Sequence, residues 1–480
     1  MTSFDVAASF PLLALTAGPV VVMLAIALRR SHAVAAGLSA AWLIVALLGL
    51  AALGVSSPAR SVTSLLTMDG FAVFGMGLLV LAALAVVMLS YRYLRGYTGW
   101  REEYYVLLLI ATLGAAVLVA CDHFASFFLG LEALSVSLYA LIAFFPGQPH
   151  SLEAGLKYLV LAATSAAFLL LGIALIYADI GTLQFETIVA ALANRIELRP
   201  LLFAPGMVLI LVGIGFKLAL APFHMWTPDI YQGAPAPVAA FVASVSKGAT
   251  FLLLLRLYHL TAPAIEGTMQ ALLAGLAVVS MLTGNLLALL QQNVKRILAY
   301  SSIGHLGYLL VAFQGTGPMI ANTASFYLVA YFVTMLGAFA VLIILSAPGR
   351  EAERIDDYRG LFWRRPLLAG VFTLMLLSLA GIPLTAGFMG KLWVLAAGTS
   401  AGAWTPVIVL VAASAVGLYY YLRVVVALYE PGRGAPAPAM RAGWGENLAL
   451  GSLTVLLVWF GIYPSRLLKV VALAMASLWR

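Results

Sequence analysis

GIGFKLALAPFHMWTPDIYQGAPAPV, residues 213–238, sets Lys217 inside an apolar run and then breaks that run at Pro222. Proline inside a helix removes a backbone hydrogen bond and clashes with the preceding turn. The apolar run around Lys217 covers about residues 201–224, so the ammonium lies too deep to snorkel easily. A charge at such a depth is costly in lipid and is read as functional by default. The stretch therefore predicts an interrupted membrane helix that holds a titratable group.

Composition agrees that lipid is the solvent. Of 480 residues, 64% are hydrophobic and 9% are charged, against about 25% charged in soluble domains. The net charge of +8 is read as a topology signal, with no nucleic-acid partner. The single cysteine, Cys121, excludes a disulfide framework and an iron–sulfur cluster held by this chain alone. No Cys/His cluster has zinc spacing and no Gly-rich nucleotide fingerprint follows a strand, so no metal or cofactor is expected on this chain. MTSFDVAASFPLL at the N-terminus lacks a basic region before its first apolar run. It reads as a retained first helix rather than a signal peptide.

Apolar runs of about 20 residues, the length of a spanning helix, occur at 9–28, 33–54, 69–91, 104–121, 123–146, 154–178, 201–224, 235–260, 267–291, 295–314, 319–346, 367–398, 403–429 and 446–470. These predict an all-α integral membrane protein of about fourteen helices in one membrane domain, 1–480. The fourth and fifth runs meet in a tight turn at Cys121–Asp122–His123. The odd loops hold Arg29, Arg30, Arg92, Arg95, Arg101, Lys295, Arg296, Arg350, Arg354, Arg359, Arg364, Arg365, Arg433 and Arg441; the even loops hold Arg60, Arg195 and Arg199. By the positive-inside rule the odd loops are cytoplasmic and both termini lie on the opposite side. The polar segment 349–366 reads as a solvated connection, and 430–446 as a Pro/Gly-rich loop.

Lysine and arginine are partitioned. Arginine, with twenty residues, dominates the loops, while four of the six lysines (Lys157, Lys217, Lys247 and Lys391) fall inside runs. Arginine keeps its proton, whereas a buried lysine can release one. The pattern points to proton handling within the membrane. Lys157 also reads as a snorkelling residue with Glu153 at i,i+4. Glu132 lies mid-run, and a buried carboxylate there needs a partner; Lys217 is the expected one, with a static ion pair as the bland alternative. His224, beside the Pro222 break, and His305, mid-run, suit proton relay or a hydrogen-bonded core equally well. Arg256 and His259 are expected to snorkel, and Asp229 to cap a helix end.

A second interruption stands at Pro383, in LSLAGIPLTAGFMGKLWVL. Paired broken helices mark transport sites in repeat-built transporters. Residues 1–100 would form helices 1–3, 104–260 a first five-helix unit, 267–429 a second, inverted one, and 446–480 the last helix. The broken helix, seventh or twelfth overall, is the fourth of each unit.

GFKLALAPFHMWTPDIYQGAPAPVAAFVASVSK (215–247), NVKRILAYSSIGHLGYLLVA (293–312) and LSLAGIPLTAGFMGKLWVL (377–395) resemble the antiporter-like subunits of bacterial respiratory complex I, the proton-pumping NADH:quinone oxidoreductase, and among them the N type. The resemblance extends over nearly the whole chain. It implies fourteen helices in two inverted five-helix repeats, and kinship with multisubunit cation/proton antiporters. It implies a relay in which Glu132 pairs with Lys217, Lys247 is central and Lys391 exchanges protons with the far side. Lys157 and His305 would be supporting groups, and His224 stays a relay candidate from its place beside the break. It also implies that NAD, FMN, iron–sulfur and quinone chemistry resides in other subunits of the enzyme. Expected partners are the M-type and small K-, J- and A-type membrane subunits, lipid and protons, in a bacterial inner membrane, with both termini periplasmic. A component of a stand-alone cation/proton antiporter and a non-transporting scaffold are the competing readings.

Overall fold

A computed structural model of the chain describes residues 5–97, 99–145, 147–193, 200–347, 350–431 and 443–479. Arg195, Arg199, Arg433, Arg441 and most of the 430–446 loop lie outside them. Helices α1 (Val6–Leu28) and α2 (His32–Leu53) lead into an antiparallel hairpin of β1 (Arg60–Thr63) and β2 (Leu66–Met68). Then come α3 (Gly70–Arg95), α4 (Glu103–Ala120), α5 (Phe124–Ile142), α6 (Pro149–Ile180), α7 (Phe185–Ala193), α8 (Pro200–Leu218), α9 (Trp226–Gly233) and α10 (Ala236–Phe241). A π-helical turn, Val242–Ser246, joins α10 to α11 (Lys247–Leu289). The remaining helices are α12 (Val294–Val311), α13 (Pro318–Leu345), α14 (Leu361–Arg364), α15 (Pro366–Ala380), α16 (Ala386–Ser400), α17 (Trp404–Tyr429), α18 (Trp444–Ile462) and α19 (Ser465–Met475).

Twelve stretches are long and apolar enough to cross a membrane, and two shorter apolar helices, Leu202–Leu218 and Pro366–Ala380, complete the expected fourteen. Both short ones belong to the interrupted spans. The first span breaks between Leu218 and Trp226, the second between Ala380 and Ala386, around Pro222 and Pro383 respectively. Ala219 (φ 60°) and Leu384 (φ 70°) are the non-glycine residues with positive φ among those described, and one sits in each break. A side chain in that conformation costs about 1–2 kcal/mol. Such strain persists where surrounding structure over-determines it. The freed groups find partners: Ala221 N donates to Ser280 Oγ at 2.9 Å and Trp226 Nε1 to the Phe216 carbonyl at 2.9 Å.

Contacts between loops bear out the alternation of sides. Arg60 pairs with Asp5, Leu66 bridges Cys121, His123 bridges Gln184, and Phe71 N donates to Ser477 Oγ, all on one face. The Ala8 amide and Arg60 hold the Asp5 carboxyl below its usual range. Lys157, Asp229, Lys295, Arg296, Glu351 and Glu353 gather on the opposite, arginine-rich face. The Cys121–His123 turn is as tight as expected, with the His123 ring accepting from Ala125 N to cap α5.

Four expectations need correction. Residues 60–68 form a hairpin, because Val62, Thr63 and Thr67 favour extended backbone. The last span ends at Ile462, before Pro464; Ser465–Met475 forms a separate helix with Arg466 and Lys469 on its exposed face, suited to lying in the interface plane. Spans eight and nine are joined by helix rather than loop, within α11. The described part of 349–366 is not merely solvated: Ala352, Ile355, Tyr358 and Leu361 are buried, and Glu351 and Glu353 reach back to α12.

The span Ala236–Thr261 and α13 each hold an 18-residue stretch that is wholly buried, whereas α6 turns Leu152, Leu156, Val160, Leu171 and Tyr177 outward. Polar groups for a membrane path therefore concentrate around the central helices.

Candidate functional site: a lane of buried lysines

Lys217 stands in the last turn of α8 and is 3% exposed. Its ammonium donates to Ser135 Oγ on α5 at 2.7 Å and to Tyr158 OH on α6 at 3.0 Å. It also lies 5.1 Å from the centre of the Tyr158 ring. The expected contact with Glu132 is absent: no ion pair within 4 Å joins them among the described residues. The two charges nonetheless interact through space. Glu132 is one turn from Ser135 on α5 and is only partly buried. A seryl hydroxyl thus occupies the place expected for the carboxylate, because α5 turns Ser135 toward α8 and leaves Glu132 nearer the outer surface.

Lys247 follows directly on the π turn and is 1% exposed. It donates to Ser302 Oγ on α12 at 2.6 Å, and the rings of Tyr231 and Trp226 lie 5.3 and 5.9 Å from it. Ammonium groups over aromatic faces gain stabilisation without a counter-charge. Tyr158 packs against Trp226 at 5.0 Å, so Trp226 stands between the Lys217 and Lys247 clusters. His224, 8% exposed, lies in the break within electrostatic reach of Lys247, and its Nδ1 has no hydrogen-bond partner among the described residues.

Helix α12 extends the lane. One turn after Ser302, His305 (3% exposed) shares Nδ1 with Tyr327 OH at 2.7 Å and Nε2 with Tyr421 OH at 3.4 Å. One turn further, the Tyr308 ring lies 4.8 Å from Lys391 Nζ. Lys391, 6% exposed, donates to the carbonyls of Leu379 and Ala380, each at 3.0 Å. These carbonyls end α15, where unpaired oxygens and the helix dipole attract a cation. Gly381 makes this possible. Its φ is +87°, and a Cβ there would come within 2.9 Å of Lys391 Cδ.

Lys157 is not in this lane. It pairs with Glu153 at 2.7 Å and Asp229 at 3.1 Å at an exposed edge, as its snorkelling reading expected. Asp229 is an ion-pair hub rather than a cap: it also binds Arg296 at 2.9 Å, and no side-chain cap starts α9. Arg256 does not snorkel. It is 6% exposed and pairs with Asp69 at 2.9 Å, while Asp69 caps α3 through the Ala72 amide.

Sequence reasoning missed Lys295, which is fully buried although it was counted as a loop charge. It also missed the hydroxyls and rings that bridge the lysines: Ser135, Tyr158, Tyr231, Ser302, Tyr308 and Tyr327. A signal existed in YSSIGHLGY, residues 300–308, where Ser302, His305 and Tyr308 recur every three residues along one side of a helix. Among the described residues no group of His, Cys, Asp and Glu is arranged to hold a metal.

Two interrupted spans around a lane of buried lysines, linked through hydroxyls and rings, define an antiporter-like membrane subunit. The chain belongs to the family described as NADH:quinone oxidoreductase/Mrp antiporter, whose model matches residues 121–417. It is 46% identical, over 98% of its length and 96% of the relative, to NADH-quinone oxidoreductase subunit N of Ectopseudomonas mendocina (strain ymp). A chain of respiratory complex I from Thermus thermophilus superposes with a TM-score of 0.83 at 34% identity, covering 96% of this chain and 99% of that one. A chain of the Mrp complex from Dietzia sp. DQ12-45-1b shares the fold, with a TM-score of 0.87 at 21% identity, covering 100% and 98%. The resemblance to N-type subunits of complex I is thus borne out.

Proposed function

We propose that the chain is a proton-translocating subunit of a respiratory NADH:quinone oxidoreductase, and that Lys217, Lys247 and Lys391 carry the proton. The single observation behind this reading is the lane itself: three buried lysines, none in direct contact with a carboxylate among the described residues. Each is held by hydroxyls, rings or carbonyls that also accommodate the neutral amine. A static structural charge would call for a carboxylate partner. Arg256–Asp69 shows that this fold supplies one where a fixed charge is needed.

In this reading Ser135 and Tyr158 hold the Lys217 proton, and Glu132 modulates it through space. Ser302 receives from Lys247, and His305 with Tyr327 passes protons along α12 toward Lys391. Among the described residues the lane lacks direct side-chain hydrogen bonds past Trp226, between Ser302 and His305, and between His305 and Lys391, so in this reading water completes it at those three places. A signal arriving at Glu132 from a neighbouring subunit would start the sequence, and repulsion between like charges would drive release. NAD, FMN, iron–sulfur and quinone chemistry falls to other subunits, of which M-type and small K-, J- and A-type membrane subunits are the neighbours. The membrane is a bacterial inner membrane with both termini periplasmic; an active alkaline phosphatase fused to the C-terminus would support that orientation.

The test is the number of protons moved per quinone reduced by the assembled complex. Lys217→Ala and Lys247→Ala are expected to lower it while quinone reduction continues. Unchanged stoichiometry in both would leave a scaffold. Sodium-dependent transport without redox subunits in the purified assembly would favour the cation/proton antiporter reading.

A further inference from the structure

The arginine-rich face holds a buried cluster that the relay leaves unused. Lys295, in the first turn of α12, donates to the carbonyls of Gln232 at 2.9 Å and Ala234 at 2.7 Å, and pairs with Glu351. Glu351 in turn accepts from the Ala236 amide at 2.8 Å and from Tyr93 OH. The ion pair therefore straddles one corner of the chain. Its cation sits on carbonyls that close α9, and its anion sits on the amide that opens α10. Each charge matches the dipole end it meets.

The local sequence explains why the corner needs this. It reads GAPAPV, residues 233–238, so Pro235 and Pro237 offer no amide and Ala236 alone stands between them. Val238 and Ala239 bond back to the Pro235 carbonyl, which leaves the Ala236 amide to an outside acceptor. Arg296, beside Lys295, binds Asp229 and Gln232 on α9 at 2.9 and 3.1 Å, so the start of α12 fastens both ends of that short helix.

Lys247 lies eleven residues after Ala236, and the turn between α10 and this lysine is π-helical. A π turn is the place where a helix can change register. With its start loose, the six residues of α10 could rotate and carry Lys247 away from Ser302, 2.6 Å distant. We propose that Lys295 and Glu351 are positioning residues that clamp the α9–α10 corner and so keep Lys247 in line with Ser302. This rests on the relay reading above.

The experiment compares Glu351→Gln, Lys295→Met, Lys295→Arg, the reversed pair Lys295→Glu/Glu351→Lys and Lys247→Ala in the assembled complex. Protons per quinone and hydrogen exchange of the amides of residues 239–246 are both measured. Glu351→Gln and Lys295→Met should lower the ratio roughly twofold or more, and exchange should quicken by about tenfold. Lys295→Arg should retain both. The reversed pair should not rescue, since it would set a cation on an amide and an anion on carbonyls. Unaltered exchange in Glu351→Gln, or full rescue by reversal, overturns the clamp. Tyr93→Phe, which removes only the hydroxyl that donates to Glu351, provides a milder variant expected to raise exchange less. A normal ratio in Lys247→Ala overturns the relay instead, and the exchange data keep the two failures apart.

Discussion

Lys217 donates to Ser135 Oγ at 2.7 Å, and Ser135 lies one turn from Glu132 on the same helix, α5. The hydroxyl therefore links the carboxylate's helix to the ammonium without a direct ion pair. A rotation of α5 by a fraction of a turn would exchange one partner for the other. Hydrogen bonds to charged groups contribute about 1.5–3 kcal/mol, so Ser135→Ala is expected to slow proton transfer markedly while the complex still assembles. Ser135→Thr keeps the hydroxyl and should pump nearly normally. Pumping that is indifferent to Ser135→Ala would remove the hydroxyl from the path.

Lys391 depends on a glycine. Gly381→Ala would place a Cβ 2.9 Å from Lys391 Cδ and 3.2 Å from Nζ, at a φ of +87°. Gly402, at φ +69°, has open space around its would-be Cβ. Both alanines carry the backbone strain of about 1–2 kcal/mol, but only Gly381→Ala displaces the ammonium from the α15 carbonyls. Proton pumping should fall in the first variant and persist in the second, at similar subunit abundance.

Tyr327 and Tyr331 offer a matched pair on α13. Tyr327 OH bonds His305 Nδ1 at 2.7 Å, while Tyr331 meets His305 only by its ring, with centroids 5.8 Å apart. Tyr327→Phe should slow pumping and Tyr331→Phe should leave it unchanged. The reverse order, read as initial pumping rates in membrane vesicles, would move the path off His305.

The Arg256–Asp69 pair is 7% and 6% exposed at its side chains. Removing one partner from a buried pair costs about 3–5 kcal/mol, because the other charge is stranded. Asp69→Asn should therefore reduce the amount of subunit found in membranes, as measured by immunoblot. Asp69→Asn with Arg256→Met should recover much of the loss. No recovery would place the effect in the lost α3 cap instead.

The count of spans, both breaks and the burial of Lys217, Lys247 and Lys391 were legible without coordinates. Lipid explains why: a spanning helix needs a long apolar run, and a charge inside one stands out at once. Pro222 and Pro383 act on their own helices, so their effect is local as well. The aromatic and hydroxyl lining of the lane was harder to read. Tyrosine and serine are ordinary in membrane helices, and Tyr158, Ser302 and Tyr327 gain meaning only from what faces them.

The chain alone determined how many spans there are, which of them hold Lys217, Lys247 and Lys391, and where two of them break, since those follow from hydropathy and backbone chemistry over one or two turns. Only the tertiary structure decided what each charge touches. It gave Lys217 a serine 82 residues away, joined Arg256 to Asp69 across 187 residues, and buried Lys295 against Glu351, 56 residues on. Such pairings arise from the packing of separate helices, and a rotation of one helix by a single residue would choose other partners.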